Sequence, residues 1–394
     1  MTADLINVRD HGASGDGVSD DYAAFARALE AAKGRTLFVP DGNYRITHTL
    51  YIDTGTTVEA SENARIFHCP SLPKHGGDFL ITNRHHDTGD RDITISGGIW
   101  DGCFDGKNNT KNPDIFAEDA WSGTLIDFYN VSGLTLRNMV IQNTVTYHTR
   151  FGRIDGFRIE NLVFRADRLA FNQDGLHFGG WCKNGVIRNI RAENGETNDD
   201  LIAFNADDSV TRLENRGLDC GDIENIDVDG VYADDCFTAF RMASVVHAVR
   251  NINIRHVRAG CRHYAVNMDG LRYCRTPMIQ NEADCPNGCG NIENITIDDF
   301  TAFPTADNGE PLFVLEENCH GFIVSGFDRP ISSDRYPNRP TIRARHLPGT
   351  VIELAQGEVR KRVCLSATDD AFITSEAFDA LSVGSPTATK QEKE

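Results

Sequence analysis

The sequence predicts an all-β fold, a right-handed parallel β-helix (solenoid) with a short N-terminal capping helix. Three observations predict it: a six-residue apolar pattern that keeps returning, steps between copies that suit one coil, and β-branched residues, Asn and Gly where a helical solenoid would need apolar residues at three-and-four spacing. The unit reads apolar-x-apolar-x-(Asn/Gly/His/Asp)-any. It appears at Ile93 to Gly98, Leu134 to Met139, Phe157 to Leu162, Ile226 to Val231, Ile252 to Val257 and Ile295 to Phe300, with a shorter version from Ile187 to Ile190. Such alternation belongs to short strands with one buried face. Equivalent apolar positions lie 23 residues apart from Leu136 to Ile159, 28 from Ile159 to Ile187 and 26 from Val228 to Ile254. The longer steps, 41 from Ile95 to Leu136, 41 from Ile187 to Val228 and 43 from Ile254 to Ile297, hold a coil plus an insertion or a degenerate coil.

Taken in order, Asp21 to Ala32 reads as an amphipathic helix that Ser19 and Asp20 can cap, and it should cover the open end of the solenoid. The Asn that ends many of the short strands suits a sharp corner, because Asn tolerates left-handed backbone angles. A second strand follows each unit, with three-residue centres Leu176-His177-Phe178, Ile202-Ala203-Phe204, Phe240-Arg241-Met242 and Val266-Asn267-Met268. Their outer members are apolar and should point inward, so His177, Ala203, Arg241 and Asn267 form one outward column, with Gly179, Asn205, Ala243 and Asp269 as a second. Insertions at Asp207 to Gly221 and Asp269 to Gly290 could wall a groove. One domain over 1–372 is expected, with an N-terminal cap over about 1–50 and a flexible tail at 373–394 rich in Ser, Thr, Ala, Lys and Glu.

The net charge of −19 argues against nucleic acid, which needs clustered Lys and Arg, and against long-range attraction of a polyanion. No apolar run reaches the length of a membrane span, and the start, Met1-Thr2-Ala3-Asp4, lacks signal-peptide regions, so a cytoplasmic location is expected. Eleven cysteines in no regular framework suit reduced thiols in a coil interior. Cys261, Cys274, Cys285 and Cys289 do not have the spacing of common zinc sites, and neither metal nor cofactor is expected.

Asn172-Gln173-Asp174-Gly175 and Asn198-Asp199-Asp200 lie about one repeat apart, which places three carboxylates on neighbouring rungs. Strict alternation would turn one of Asp199 and Asp200 inward, so the chain must bend there for both to face out. Three clustered acids repel, and at least one should hold its proton to higher pH, giving an acid and a base from one residue type. Two opposed carboxyls are the minimum equipment for hydrolysing a glycosidic bond, and rungs about 4.8 Å apart suit successive sugar hydroxyls. The alternative is that the acids are corner residues or a calcium site with Asp207-Asp208. Asp234-Asp235 shows how readily such a pair arises in an acidic chain.

From about Ile93 to Phe300 the chain resembles the polygalacturonase-type glycoside hydrolases, family 28, whose β-helices carry Asn-x-Asp-Gly followed one coil later by Asp-Asp. The segment Val8 to Gly17 with Phe38 to Tyr44 is similar to an opening widespread in pectin-active β-helix proteins. The resemblance implies an inverting hydrolase: Asp199 as general acid, Asp174 and Asp200 activating water, and an oligosaccharide as partner. Arg241 falls where the family has Arg-Ile-Lys, and His148 lies near a family aromatic or His contact. Ala243 stands in place of that lysine, Asn205 in place of another commonly basic position, and His177 in place of an acidic residue. A Gly-His-Gly motif is missing. Those losses remove charge-assisted bonds to galacturonate. His177, Asn205, Arg241, Asn267 and His148 are the expected substrate contacts, and Trp181 could stack on a sugar ring. Two other readings remain: a polysaccharide lyase or epimerase acting on uronic acid sugars, and a non-catalytic carbohydrate-binding β-helix.

Overall fold

The computed structural model describes residues 5–68, 76–104, 123–193, 197–208, 217–269, 288–330 and 332–344, and the strand backbone of 351–356, 359–364 and 371–374. Strands stack in parallel, each on its counterpart one coil earlier. The apolar positions aligned by the repeat are register partners: Ile95 pairs with Leu136, Leu136 with Ile159, Ile159 with Ile187, Ile187 with Val228, Val228 with Ile254 and Ile254 with Ile297. All seven are buried in one continuous core.

The corners form as the residue types predict. Asn138, Asn161, Asn189, His256 and Asp299 have φ between 50° and 57°, and Gly97 and Gly230 have φ of 81° and 82°. Gly, Asn, Asp and His enter this left-handed region more cheaply than other residues. The corner Asn residues also tie successive coils, with Asn189 donating to Asn161 Oδ1 and Asn161 to Asn138 Oδ1, each at 2.8 Å.

The helix spans Tyr22–Ala31 and buries Ala24, Phe25, Ala28 and Leu29. Its capping meets the expectation for Asp20 and departs from it for Ser19. Asp21 occupies the N-cap position, but its carboxylate accepts from Ser14 N and Gly15 N instead, and the neighbouring Asp20 carboxylate accepts from Tyr22 N at 3.1 Å. Ser19 is drawn away to Asp16, to which its hydroxyl donates.

At the other end, parallel stacking gives way to antiparallel pairs: Val351–Gln356 with Val359–Cys364, and Pro340–Ala344 with Ala371–Thr374. That last strand crosses the expected start of the tail, and the remainder of 373–394 lies outside the described residues, as do most of the two expected insertions, 209–216 and 270–287. Cys182, Cys236, Cys261 and Cys319 are buried free thiols and Cys289 is buried, while Cys274 and Cys285 fall outside the described residues.

Candidate active site

The second set of strands is also in the predicted register. Leu176 pairs with Ile202, Ile202 with Phe240 and Phe240 with Val266, so His177, Ala203, Arg241 and Asn267 form one row. Two residues before these partners stand Asp174, Asp200, Thr238 and Tyr264. Asp174 and Asp200 are therefore the same position in consecutive coils, one rung of about 4.8 Å apart. A Cβ on Gly175 would lie 2.5 Å from Leu201 O, so only glycine lets the coils approach this closely beside the acids.

The expected bend is present. Asn198 and Asp199 form it, and the strand Asp200–Asn205 begins immediately after. Arg262 braces it from below, donating to Thr197 O at 2.8 Å and Asn198 Oδ1 at 3.2 Å. In consequence Asp174, Asp199 and Asp200 all line one cavity of about 260 Å³. That volume lies near the lower end of small-molecule sites.

Each of the two deeper acids is matched to a cation. His177 Nδ1 lies 2.6 Å from Asp174 Oδ2, and its Nε2 lies 3.1 Å from Asp208 Oδ2. Burial would lower the His177 pKa, but the bonds to Asp174 and Asp208 outweigh it and hold the imidazolium up to about 9. Tyr147 stacks on this ring at 4.1 Å. Arg241 Nε meets Asp200 Oδ2 at 2.5 Å. Burial nevertheless pushes the Asp200 carboxyl up to about 6, with Arg241 opposing and Asp174 reinforcing. Asp174 and Asp200 are each only 3% exposed, and the second oxygen of each, Oδ1, has no hydrogen-bond partner among the described residues. Two bare acceptors thus stand on adjacent rungs.

Of the expected contacts, His177, Asn205 and Arg241 line the cavity with the acids. His148 does not. It is fully buried beneath the coil, where Nδ1 donates to the carbonyl of Asp174 at 2.8 Å, and burial lowers its pKa to about 4. It supports the acid-bearing segment as a neutral ring. Asn267 shares the row of Arg241 but is 1% exposed and does not line the cavity. Trp181 also lies elsewhere, edge-on to His247 at 6.0 Å.

Asp207 is a corner residue: its Oδ2 accepts from the backbone N–H groups of Val245, Val246 and His247. Asp208 instead turns into the cavity. Among the described residues no group of His, Cys, Asp and Glu could hold a metal ion.

Asp208, Tyr147, Asn172, Phe237 and His263 also line the cavity and were not among the chosen site residues. A signal for two of them was present. Phe237 and His263 each directly precede the register partners Thr238 and Tyr264, as Asp199 precedes Asp200. Projecting the Asp199 position two coils onward finds both.

A family model described as rhamnogalacturonase A/epimerase, pectate lyase-like, matches residues 5–65. A probable polygalacturonase of Arabidopsis thaliana is 26% identical over 321 residues, 78% of this chain and 64% of that protein. Among solved structures, an exopolygalacturonase from Thermotoga maritima superposes with a TM-score of 0.59 at 14% identity, covering 94% of this chain and 95% of the other. The mannuronan C-5 epimerase AlgE4 A-module of Azotobacter vinelandii superposes with 0.57 at 14% identity, covering 90% and 95%. The curated relatives also include a pre-neck appendage protein of Bacillus phage B103, 31% identical over 99 residues, 25% of this chain and 11% of that protein. The chain spans less than two thirds of the length of these curated relatives. The relatives thus include polygalacturonases, epimerases and phage appendage proteins on one architecture. In its fold this chain is a polygalacturonase-type parallel β-helix.

Proposed function

We propose that the protein is a glycoside hydrolase that cleaves a pectic or related oligosaccharide with inversion. The observation that carries this reading is the pair of unpartnered, buried carboxylate oxygens of Asp174 and Asp200 beside Asp199 in one cavity. In the proposed step Asp199 gives its proton to the glycosidic oxygen as that bond breaks. Water attacks the anomeric carbon from the opposite face, and Asp174 and Asp200 take its proton. Inversion needs room for that water, with opposed carboxyls about 6.5 to 9.5 Å apart. His177 and Arg241 suit the two bases, since each places a cationic side chain beside one of the two carboxylates. The small cavity favours action near a chain end. The reading takes the coil as right-handed, the usual sense of parallel crossovers, with the helix closing its N-terminal end.

The test is reducing-sugar release from a panel of pectic, uronic and neutral oligosaccharides, followed by NMR of the first-formed anomer. Release with inverted configuration is expected. No release from any member removes the hydrolase reading, and retained configuration removes the single-displacement mechanism.

A second reading, proton abstraction beside a sugar carboxylate as in a lyase or epimerase, is favoured by Arg241 standing among the acids. It requires a uronate substrate. An ultraviolet-absorbing unsaturated product, or C5 inversion without cleavage, would select it.

A further inference from the structure

Resting on the hydrolase reading, we infer that Arg262 is a positioning residue for proton donation, fixing the bend from which Asp199 reaches the glycosidic oxygen. The two coils that follow Asp199-Asp200 carry compensating bulges. Three steps from Ala233 to Cys236 match two from Ala259 to Cys261, and two steps from Cys236 to Thr238 match three from Cys261 to Tyr264. The first bulge holds Asp234-Asp235 and the second Arg262-His263, so each strand turns one extra residue out of the ladder and re-aims its side chain. The residues so released meet. Arg262 Nη1 donates to Asp235 O and lies 3.0 Å from Asp235 Oδ2. Its Nη2 reaches one coil further and donates to Thr197 O at 2.8 Å and Asn198 Oδ1 at 3.2 Å. One planar group thus bridges two coils, a task that suits a guanidinium fork better than a point charge.

The bend depends on such a support. Asn198, the residue ahead of Asp199, is held at both ends of its amide, since its Nδ2 donates to Ala170 O at 2.9 Å while Oδ1 accepts from Arg262. Arg262 is itself anchored: the 2% exposed Arg339 donates to the carbonyls of Arg262 and His263, and Arg329 donates to Arg339 O at 2.7 Å. Asp199 and Asp200 are adjacent in the chain, yet one has to serve as the acid and the other as a base. The backbone direction at this bend separates those roles. A displacement of about 1 Å at a reacting group is enough to cost about a hundredfold in rate, so a residue outside the cavity lining can govern the step.

The experiment pairs two substrates that differ in their need for an acid. One is the member of the pectic, uronic and neutral panel that the parent protein cleaves fastest. The other is the 2,4-dinitrophenyl glycoside of the fragment whose anomeric carbon is released. Dinitrophenolate departs as a stable anion and takes no proton from the protein, whereas a sugar oxygen must be protonated as its bond breaks. Arg262→Gln is expected to lower kcat on the oligosaccharide about thirtyfold or more with KM within about threefold, and to lower kcat on the dinitrophenyl glycoside by about threefold at most. Arg262→Lys, which keeps the charge and loses the fork, should show the same bias at smaller size and carries the test if the Gln variant does not fold. Equal losses on both substrates, or no loss on either, overturn the inference. Asp199→Ala is the reference. Selective loss there with none at Arg262 overturns this inference alone. Equal losses at Asp199 on both substrates remove the acid assignment of the hydrolase reading and this inference with it, as does a parent protein that cleaves no member of the panel.

Discussion

Two Asp-Asp pairs sit one coil apart and have opposite surroundings. Asp199-Asp200 precedes a strand at a bend, lines the cavity, and leaves a buried Asp200 oxygen without a partner. Asp234-Asp235 sits in a bulge, between the register breaks at Ala233 and Cys236, where Arg262 meets Asp235 Oδ2 at 3.0 Å and Thr305 donates to Asp235 Oδ1 at 2.5 Å. Both pairs escape strict alternation, so the dipeptide itself decides nothing. What separates them is the neighbouring coil. One pair stacks on another acid with bare oxygens between, and the other has a carboxylate answered on both oxygens. Arg262 joins the two regions, since the guanidinium that satisfies Asp235 also holds the backbone ahead of Asp199.

The most severe way to break this contrast is to neutralise one acid in each region. Asp200→Asn should lower turnover by about a thousandfold, the scale of losing a general base, while Asp235→Asn should stay within about twofold. Reducing-end assays on both variants check this, and equal losses would dissolve the distinction.

Stability offers the next contrast. His177→Gln removes a buried cation from between two carboxylates and should cost about 3 to 5 kcal/mol in urea unfolding. Arg262→Gln breaks a pair in which Asp235 is 42% exposed and should cost about 1 kcal/mol. Similar costs would mean that the cavity pair is no more buried in energy than in position.

The smallest effects are in pH dependence, and they sharpen the comparison within the cavity. Because Asp200 is held up to about 6, kcat/KM should fall as pH drops through that value if Asp200 is a base. A fall on raising pH through the same value would make it the acid. The raised His177 pKa contributes stability that is complete below pH 6.5 and is lost as pH rises through about 9. Melting temperatures across that window should decline in the parent protein and decline less in His177→Gln.

The coil architecture and the three acids could be seen in the sequence because both depend on short-range pattern. Ile95, Leu136 and Ile159 announce their register through spacing alone, and Asp174-Gly175 marks its own departure from the strand. The occupancy of the cavity was less visible. His148 and His177 are both polar residues near the acids, yet one lies under the backbone and the other faces the pocket. Asp207 and Asp208 were equivalent as text, but three N–H groups of a distant turn claim the first and leave the second to the cavity. Such long-range partners leave no local periodicity.

The bare Cα at residue 175 sets a dimension. With Leu201 O standing where a methyl would go, any larger residue must wedge the two coils apart at the point where their acids face each other. The spacing of Asp174 from Asp200 is thus held by a hydrogen atom on the backbone, so main-chain thickness sets the geometry of this part of the cavity as much as the carboxylates do.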